Sequence, residues 1–279
     1  RIDDTQGKYY PLEYAWKGKG GKVSWERIGL PAEVYVQLDT YALDSRKGIY
    51  SSDQALLSYP LFLGQQKIKG VFSDKVSIDN TGGEGFYPRF ESLTERVEIK
   101  EFGEGIRYSG GFRLEGKTVY GVGAQGNKPQ LEIYNRSGAK VFKGVSNRFT
   151  IKQGEQLSGE QVEAVFYSQG DSIYHPAVNI RFTVSTKELR LYRGELGSGR
   201  VPFVSSVHQV NIEAEEIIAY LNADSVLIGK PSVSIAKKSP VLFESMNFFQ
   251  QKEYEAFQGI SSVNPLALIK VTAEKTGTR

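Results

Sequence analysis

An all-β fold is predicted by the composition, by the apolar patterning and by an internal near-repeat. The chain has 279 residues, among them 16 Tyr, 15 Phe and 30 Gly. Aromatic residues favour strands, and glycine supplies the turns between them. Many short alternating runs separated by turns are typical of sandwiches, barrels and solenoids. We therefore expect an elongated fold that is solenoid-like or built of stacked antiparallel sheets, with a short helical segment at the C-terminal end.

Each predicted strand has an apolar residue at every second position. This alternation is typical of strands with one buried and one solvent-exposed face. In Val178–Ser185, four apolar residues face one way and four polar residues face the other. Long amphipathic helices are missing between the runs, which argues against alternating βαβ units. Residues 211–221 fit either a strand or a Glu-rich helix. In chain order, the alternating runs are 34–40, 97–100, 112–115, 119–120, 131–134, 162–166 and 178–185.

The near-repeat joins two stretches that begin at Tyr167 and Tyr220. Each reads tyrosine, polar turn, Asp-Ser, apolar residue, proline, strand, and the second has two extra residues before its proline. An insertion of two residues keeps each side chain of a strand on its own face. We expect Asp171-Ser172 and Asp224-Ser225 to start related strands, where a short acceptor side chain can bond backbone N–H groups of the turn.

Three segments are predicted: a lead-in over 1–30, a β-rich repetitive domain over 31–242, and a partly helical junction over 243–279. Glycine becomes sparse after Phe243, and Val263–Leu266 reads as a helix break and restart. The chain begins at Arg1 and not at Met, and it closes at Arg279 with no sequence element that marks the end of a domain. We therefore expect a piece of a longer protein or a processed product. The apolar residues that can share one helical face are Met246, Phe249, Ala256, Phe257 and Ile260.

Net charge, cysteine content and the length of the apolar segments narrow the classes of function that this chain can have. Net charge is +3, and the basic residues are scattered, whereas nucleic-acid binding leaves a basic stripe or a recognisable module. The chain has no cysteine, which rules out disulfides, thiolate metal sites and a cysteine nucleophile and fits an oxidising compartment. No segment approaches the ~20 apolar residues of a membrane helix. We expect no nucleic-acid partner and no transmembrane segment in this piece.

No catalytic, metal or cofactor-binding residue is predicted. His175 and His208 are the two histidines, and neither adjoins a nucleophile motif, so we interpret both as structural; His208 lies in a Val-rich run predicted as strand. Asp79–Gly85 departs from calcium-loop patterns, and the glycine runs near 103 and 121 lack the helix and Lys-Ser/Thr ending of a phosphate loop. We interpret the acidic cluster of Glu213, Glu215 and Glu216 as part of a solvent-exposed face.

Tyrosines on the polar side of strands could stack on sugars or form cross-strand pairs that stabilise the sheet. We favour the cross-strand interpretation. The tyrosines concerned are Tyr35, Tyr41, Tyr134, Tyr167 and Tyr192.

Two resemblances follow from short motifs. Asp171-Ser172-Ile173 and Asp224-Ser225-Val226 resemble the Asp-Ser/Thr-apolar O-glycosylation motif that one group of Gram-negative bacteria uses on exported proteins, which makes Ser172 and Ser225 possible O-glycosylation sites. Asn135-Arg136-Ser137 is an N-glycosylation sequon. The pattern of alternating strands and glycine turns in Arg107–Val122 is similar to that of large repetitive β-rich proteins of bacterial envelopes and surfaces. The resemblance extends over about residues 30–242. This resemblance implies a periplasmic, cell-surface or secreted location and transfers no functional residue.

The sequence therefore predicts a non-catalytic structural or binding module of a larger envelope or surface protein, with no cofactor. Its partners would be other modules of the same chain or other envelope proteins, with a glycan or a lipid possible. Two alternatives remain open. One is an apolar β-groove for lipid or lipopolysaccharide transfer, and the other is a glycan-binding or glycan-active β-helix.

Overall fold

The computed structural model describes residues 2–76, 87–93, 96–99, 105–123, 126–152, 155–168, 170–195, 197–221, 223, 225–229, 240–246, 255 and 265–276. Within them, 22 strands form one hydrogen-bonded antiparallel sheet, and a short helix lies near the C-terminal end. The all-β prediction is confirmed. The solenoid-like alternative is not confirmed, because the strands pair antiparallel with neighbours in an irregular order.

The N-terminal part contains strands whose apolar residues alternate with polar ones, as in β7, where every second residue is buried. The first half of β6 pairs with β5 and its second half with β4. On its other side β6 pairs with β7, and the register of that pairing shifts between Ser52 and Ala55. The sheet therefore folds back on itself, and residues 1–30 supply β1–β3. The elements are β1 (Gln6–Tyr10), β2 (Ala15–Lys19), β3 (Lys22–Ser24), a 3₁₀ helix (Glu26–Ile28), β4 (Tyr35–Leu38), β5 (Thr40–Asp44), β6 (Ile49–Ser58), α1 (Pro60–Leu63) and β7 (Lys67–Lys75).

In the middle part, six strands form a closed ring of hydrogen-bonded neighbours in the order β10, β11, β14, β15, β13, β12 and back to β10. The ring closes because β10 and β15 are long enough to pair with a different neighbour at each end. Closure leaves no free sheet edge among these six strands. The elements are β8 (Arg89–Ser92), β9 (Val97–Ile99), β10 (Ile106–Glu115), β11 (Thr118–Val122), β12 (Gln130–Tyr134), β13 (Lys140–Val145), β14 (Arg148–Lys152) and β15 (Gln156–Ser168).

The C-terminal part is joined to the ring by the pairing of β15 with β16. Residues 211–221, which fitted either helix or strand, form two strands. The elements are β16 (Asp171–Thr183), β17 (Glu188–Arg193), a 3₁₀ helix (Gly197–Arg200), β18 (Phe203–Ser205), a second 3₁₀ helix (Val207–Gln209), β19 (Val210–Glu213), β20 (Glu216–Tyr220), β21 (Ser225–Ile228), β22 (Leu242–Ser245) and α2 (Pro265–Thr276).

The expected helix from Phe243 is wrong at its start, because Phe243 lies in β22 opposite Ile212 of β19. Backbone pairing of the exposed strand β22 with β19 there overrides the helical spacing of the side chains. Met246, also expected in the helix, lies in a turn after β22, and of residues 247–260 only Glu255 is described. Where a restart was predicted, α2 begins at Pro265, a residue suited to the first turn of a helix; the predicted break before it stays a prediction, because residues 256–264 lie outside the described ranges.

The alternation predicted for 178–185 is confirmed in β16. Val178, Ile180 and Phe182 are buried, while Asn179, Arg181 and Ser185 are exposed. Val184 follows the end of the strand and is half-buried against the core, and Thr183 is half-buried.

The near-repeat corresponds to two β-hairpins with the same register. Tyr167 lies opposite Ser172, and Tyr220 lies opposite Ser225. Asp171 begins β16 as expected, whereas Asp224 and the second proline lie outside the described residues. The Asp171 carboxylate accepts a hydrogen bond from the Ser206 hydroxyl at 2.9 Å. Its expected bond to the turn stays a prediction, because Gln169 of that turn lies outside the described residues.

A single hydrophobic cluster runs through the described residues from Val23 to Ala219. Its N-terminal and middle parts meet where Tyr59 and Phe62 contact Phe112, with ring centroids 6.2 and 6.3 Å apart. The inner aliphatic and aromatic side chains thus pack on one another. None of the helices in the described ranges is both long and apolar enough to cross a membrane.

Candidate functional site

His175 is buried in β16, and both ring nitrogens are engaged. Nε2 lies 3.0 Å from the Val201 carbonyl oxygen, and Nδ1 accepts a hydrogen bond from the Ala177 N–H at 3.0 Å. This pattern requires a neutral ring with its proton on Nε2. Burial, opposed by the Val201 bond and aided by nearby Arg193, lowers the pKa of His175. These contacts fit the structural interpretation of His175.

Several other candidate residues lie away from any common site. His208 lies in a 3₁₀ helix and not in the predicted strand, because the chain turns there between β18 and β19. The Asp79–Gly85 loop lies outside the described residues. Ser172 is half-buried and Ser225 is exposed, and their glycosylation stays a prediction. In the described ranges, no three His, Asp or Glu side chains gather closely enough to hold a metal ion.

The acidic cluster at 213–216 is only partly a solvated face. Glu213 and Glu215 are exposed, but Glu216 is buried and its carboxylate accepts a hydrogen bond from Arg190 at 3.0 Å. Arg190 also bonds Glu188. The hydrogen bond to Glu188, then the charges of both glutamates, raise the pKa of Arg190 despite partial burial. The prediction for Glu216 was wrong because β20 is covered on both faces, which only its position in the sheet decides.

A second buried charge, Asp74, was not predicted at all. Arg27 Nη2 donates to both of its oxygens at 2.7 and 2.6 Å, and the Tyr50 hydroxyl donates to it at 2.7 Å. Burial, and then the Asp74 charge, raises the pKa of Tyr50. Arg27 and Asp74 are 47 residues apart, so sequence carried no signal of the pair.

The tyrosines predicted on the polar faces differ in their surroundings. Tyr41 is buried, which corrects the prediction for it, because its ring covers Gly18 on the neighbouring strand. Tyr35, Tyr134, Tyr167 and Tyr192 are half-buried. The Tyr134 hydroxyl donates to Glu132, and Arg107 lies 4.3 Å from the ring centre. Glu132 lies on the same strand as Tyr134, whereas Arg107 lies on the neighbouring β10, so the Arg107 contact fits the cross-strand interpretation.

A polar groove of about 610 Å³ lies over the sheet formed by β14, β15, β16 and β17. It follows a β-bulge in β15: Gly159 pairs with Ile180 and Val162 with Val178, so β15 carries one extra residue. The bulge leaves Glu160 and Gln161 exposed side by side. The groove is lined by residues 146–148, 150, 156, 158–161, 179–181 and 192.

Side chains from the β13–β14 connection and from β16 hold the bulge. The buried Ser146 hydroxyl donates to the Glu160 carbonyl at 2.7 Å, and the Gln161 N–H donates to Asn179 Oδ1 at 3.2 Å. Gln161 has a φ of 49°, in the left-handed region. Because bulges re-aim side chains, this one turns two polar residues toward the groove and fixes their backbone.

No protein-family model and no curated protein matches this chain. The groove therefore has to be interpreted from its own chemistry.

Sequence reasoning did not find the groove. Its one sequence signal is the break in alternation in β15, where two polar residues separate buried Gly159 from buried Val162. That break indicates a bulge, but the residues from β14, β16 and β17 that complete the groove are set by strand pairing.

Proposed function

We propose that this chain is a non-catalytic structural or binding module of a larger protein of the cell envelope or surface. The proposal rests on one observation: the buried ionisable groups are engaged in hydrogen bonds and ion pairs within the protein. His175 is held by two backbone groups, Asp74 by Arg27 and Tyr50, and Glu216 by Arg190. Catalysis uses ionisable groups that converge on a pocket with their reactive atoms accessible, whereas these groups stabilise the interior.

The packing of the interior favours this function over lipid or lipopolysaccharide transfer. A transfer groove needs apolar side chains that stay open to a ligand, while here the inner side chains form one filled cluster. A solid, antiparallel scaffold instead presents its outer strand faces and loops to partners. Those partners would be further modules of the same longer chain or other envelope proteins.

Glycan binding is the second candidate, because the groove combines planar polar side chains with one aromatic ring. Hydrolysis by the usual glycosidase route needs two carboxylates flanking the bond. Among the described residues that line the groove, the carboxylate is that of Glu160 alone. The groove therefore favours holding a sugar over cleaving it.

Turnover assays test the proposal. The purified chain and a Glu160→Gln variant would be incubated with panels of glycans, esters and peptides, and products would be measured by mass spectrometry. We expect no product above the buffer control for either protein. Turnover by the wild type that Glu160→Gln abolishes would overturn the non-catalytic assignment.

Cell fractionation tests the location. An antibody against the chain would be used on cytoplasmic, envelope and secreted fractions of the cells that produce it. We expect the signal in the envelope or secreted fractions, with a cytoplasmic enzyme as the fractionation control. A signal confined to the cytoplasm would contradict the envelope assignment.

A further inference from the structure

We infer that the groove over the β15 bulge binds an acidic glycan, an oligosaccharide whose sugars carry carboxylates. This inference rests on the proposed binding function and names its ligand class. The volume of about 610 Å³ lies within the ~300–1,000 Å³ of small-ligand sites. Three features of the groove support it: exposed arginines, amide and hydroxyl groups beside an aromatic ring, and a fixed backbone.

Two arginines give the groove its charge. Arg148 on β14 and Arg181 on β16 are exposed, and neither forms an ion pair with another described residue. The guanidinium of Arg148 lies over the ring of Tyr120, 5.5 Å from its centre. Since β15 separates them, β14 and β16 lie about 10 Å apart at ~4.8 Å per strand. The position on β14 that is level with Arg181 is Thr150, two residues from Arg148. A guanidinium binds a carboxylate with two parallel hydrogen bonds. With Glu160 as the opposing charge, the lining has a net charge of one positive unit and suits an anionic ligand.

The remaining lining suits sugar hydroxyls. Asn147, Gln156 and Gln161 offer amides that both donate and accept, and Thr150 and Ser158 offer hydroxyls. Asn179 uses its oxygen on the bulge, so its two N–H donors remain for a ligand. Tyr192 lies opposite Asn179 on β17 and is half-buried, so part of its ring stays open to an apolar sugar face.

The position of the groove argues against an extended peptide. Peptides add to sheets at an open edge through backbone hydrogen bonds. Here the groove lies over the middle of the sheet, where β15 is already paired with β14 and β16. The bulge is held by Ser146 and Asn179 before any ligand arrives, and such preorganisation lowers the entropic cost of binding.

The test compares a carboxylated and a neutral oligosaccharide. The chain would be titrated calorimetrically with hexagalacturonic acid and with cellohexaose, in 50 mM salt. We expect hexagalacturonic acid to bind at least about tenfold more tightly, since charge-assisted hydrogen bonds are the stronger ones. An Arg148→Gln/Arg181→Gln double variant should lose at least about tenfold in affinity for it. The control, Arg136→Gln in an exposed turn, should bind as the wild type does.

Each contrary outcome has a distinct meaning. Equal binding of both sugars, equal binding by the double variant, or tighter binding of a single-stranded oligonucleotide would overturn the inference. The circular dichroism melting curve of each variant shows whether it folds; if the double variant fails to fold, the single variants carry the test. Failure to bind any sugar would overturn this inference alone, whereas cleavage of hexagalacturonic acid, seen by mass spectrometry, would overturn the proposed non-catalytic function.

Discussion

The Asp74 carboxylate is fully buried and is held by Arg27, by the Tyr50 hydroxyl and by the N–H of Lys75 at 2.8 Å. These bonds tie β7 to β6 and to the 3₁₀ helix that carries Arg27. Removing one partner of a buried pair leaves the rest without compensation. The pair therefore acts as a structural clamp in the N-terminal part.

Asp74→Asn should lower the free energy of unfolding by about 3 kcal/mol, because it leaves the donors of Arg27 and Tyr50 without a charged acceptor. Arg27 is 32% exposed, so water compensates part of the loss. Urea unfolding measures the change. Glu13→Gln, in an exposed pair with Lys17, is the control and should change stability by less than about 1 kcal/mol. Equal effects for the two variants would refute the clamp.

His175 should make stability depend on pH. Its pKa is lowered in the folded chain, so below about pH 6.5, the unfolded value, the unfolded chain binds a proton that the folded chain does not. Stability contributed by the neutral ring is complete above that pH and is lost as the pH falls toward the folded pKa. Urea unfolding at pH 7.5 and 5.5 should show a smaller difference for His175→Gln than for the wild type. An unchanged difference would exclude His175 as its source.

At the scale of elements, glycines make room for aromatic rings from neighbouring strands. Gly159 of β15 lies opposite Phe149 of β14, and a Cβ at position 159 would lie 2.8 Å from the Phe149 ring. Gly18 and Tyr41 form a similar pair. A ring that covers a strand glycine packs the space its missing side chain leaves. These pairs bring adjacent strands close together.

Gly159→Ala should destabilise the chain by about 1–3 kcal/mol, because the added methyl group overlaps the Phe149 ring and Val162. Combining it with Phe149→Leu should cost less than the sum of the two single changes by more than about 0.5 kcal/mol. Chemical unfolding of all four proteins in the cycle measures this. Strict additivity would show that the two residues do not share the space.

For the whole molecule, the continuous core couples parts of the sheet that are far apart in sequence. The cluster includes Leu57 in β6 and Leu189 in β17, both fully buried. The two tryptophans, Trp16 and Trp25, both lie in the N-terminal part. Fluorescence therefore reports unfolding of that part, while circular dichroism reports the whole sheet.

Leu189→Ala should shift the tryptophan fluorescence transition and the circular dichroism transition to the same lower denaturant concentration. The cost should be about 2–5 kcal/mol, as for other buried leucines. Leu12→Ala, at a 97% exposed position, is the control and should leave both midpoints unchanged. If Leu189→Ala moved only the circular dichroism transition, the N-terminal part would unfold independently of β17.

Alternation and turn chemistry are local, so the strand class, the faces of β16 and the relation between the stretches that begin at Tyr167 and Tyr220 could be predicted from the chain alone. The helix α2 begins at Pro265, within the segment where a helix was expected to restart. The remaining features depend on long-range pairing. Burial of Glu216 and Tyr41, the Arg27–Asp74 pair and the groove over β15 all depend on which strands become neighbours. Those neighbours are set by long strands that pair with different strands at their two ends and by the packing of distant apolar faces. A break in alternation can indicate a bulge, but no short-range pattern shows which strands lie beside it.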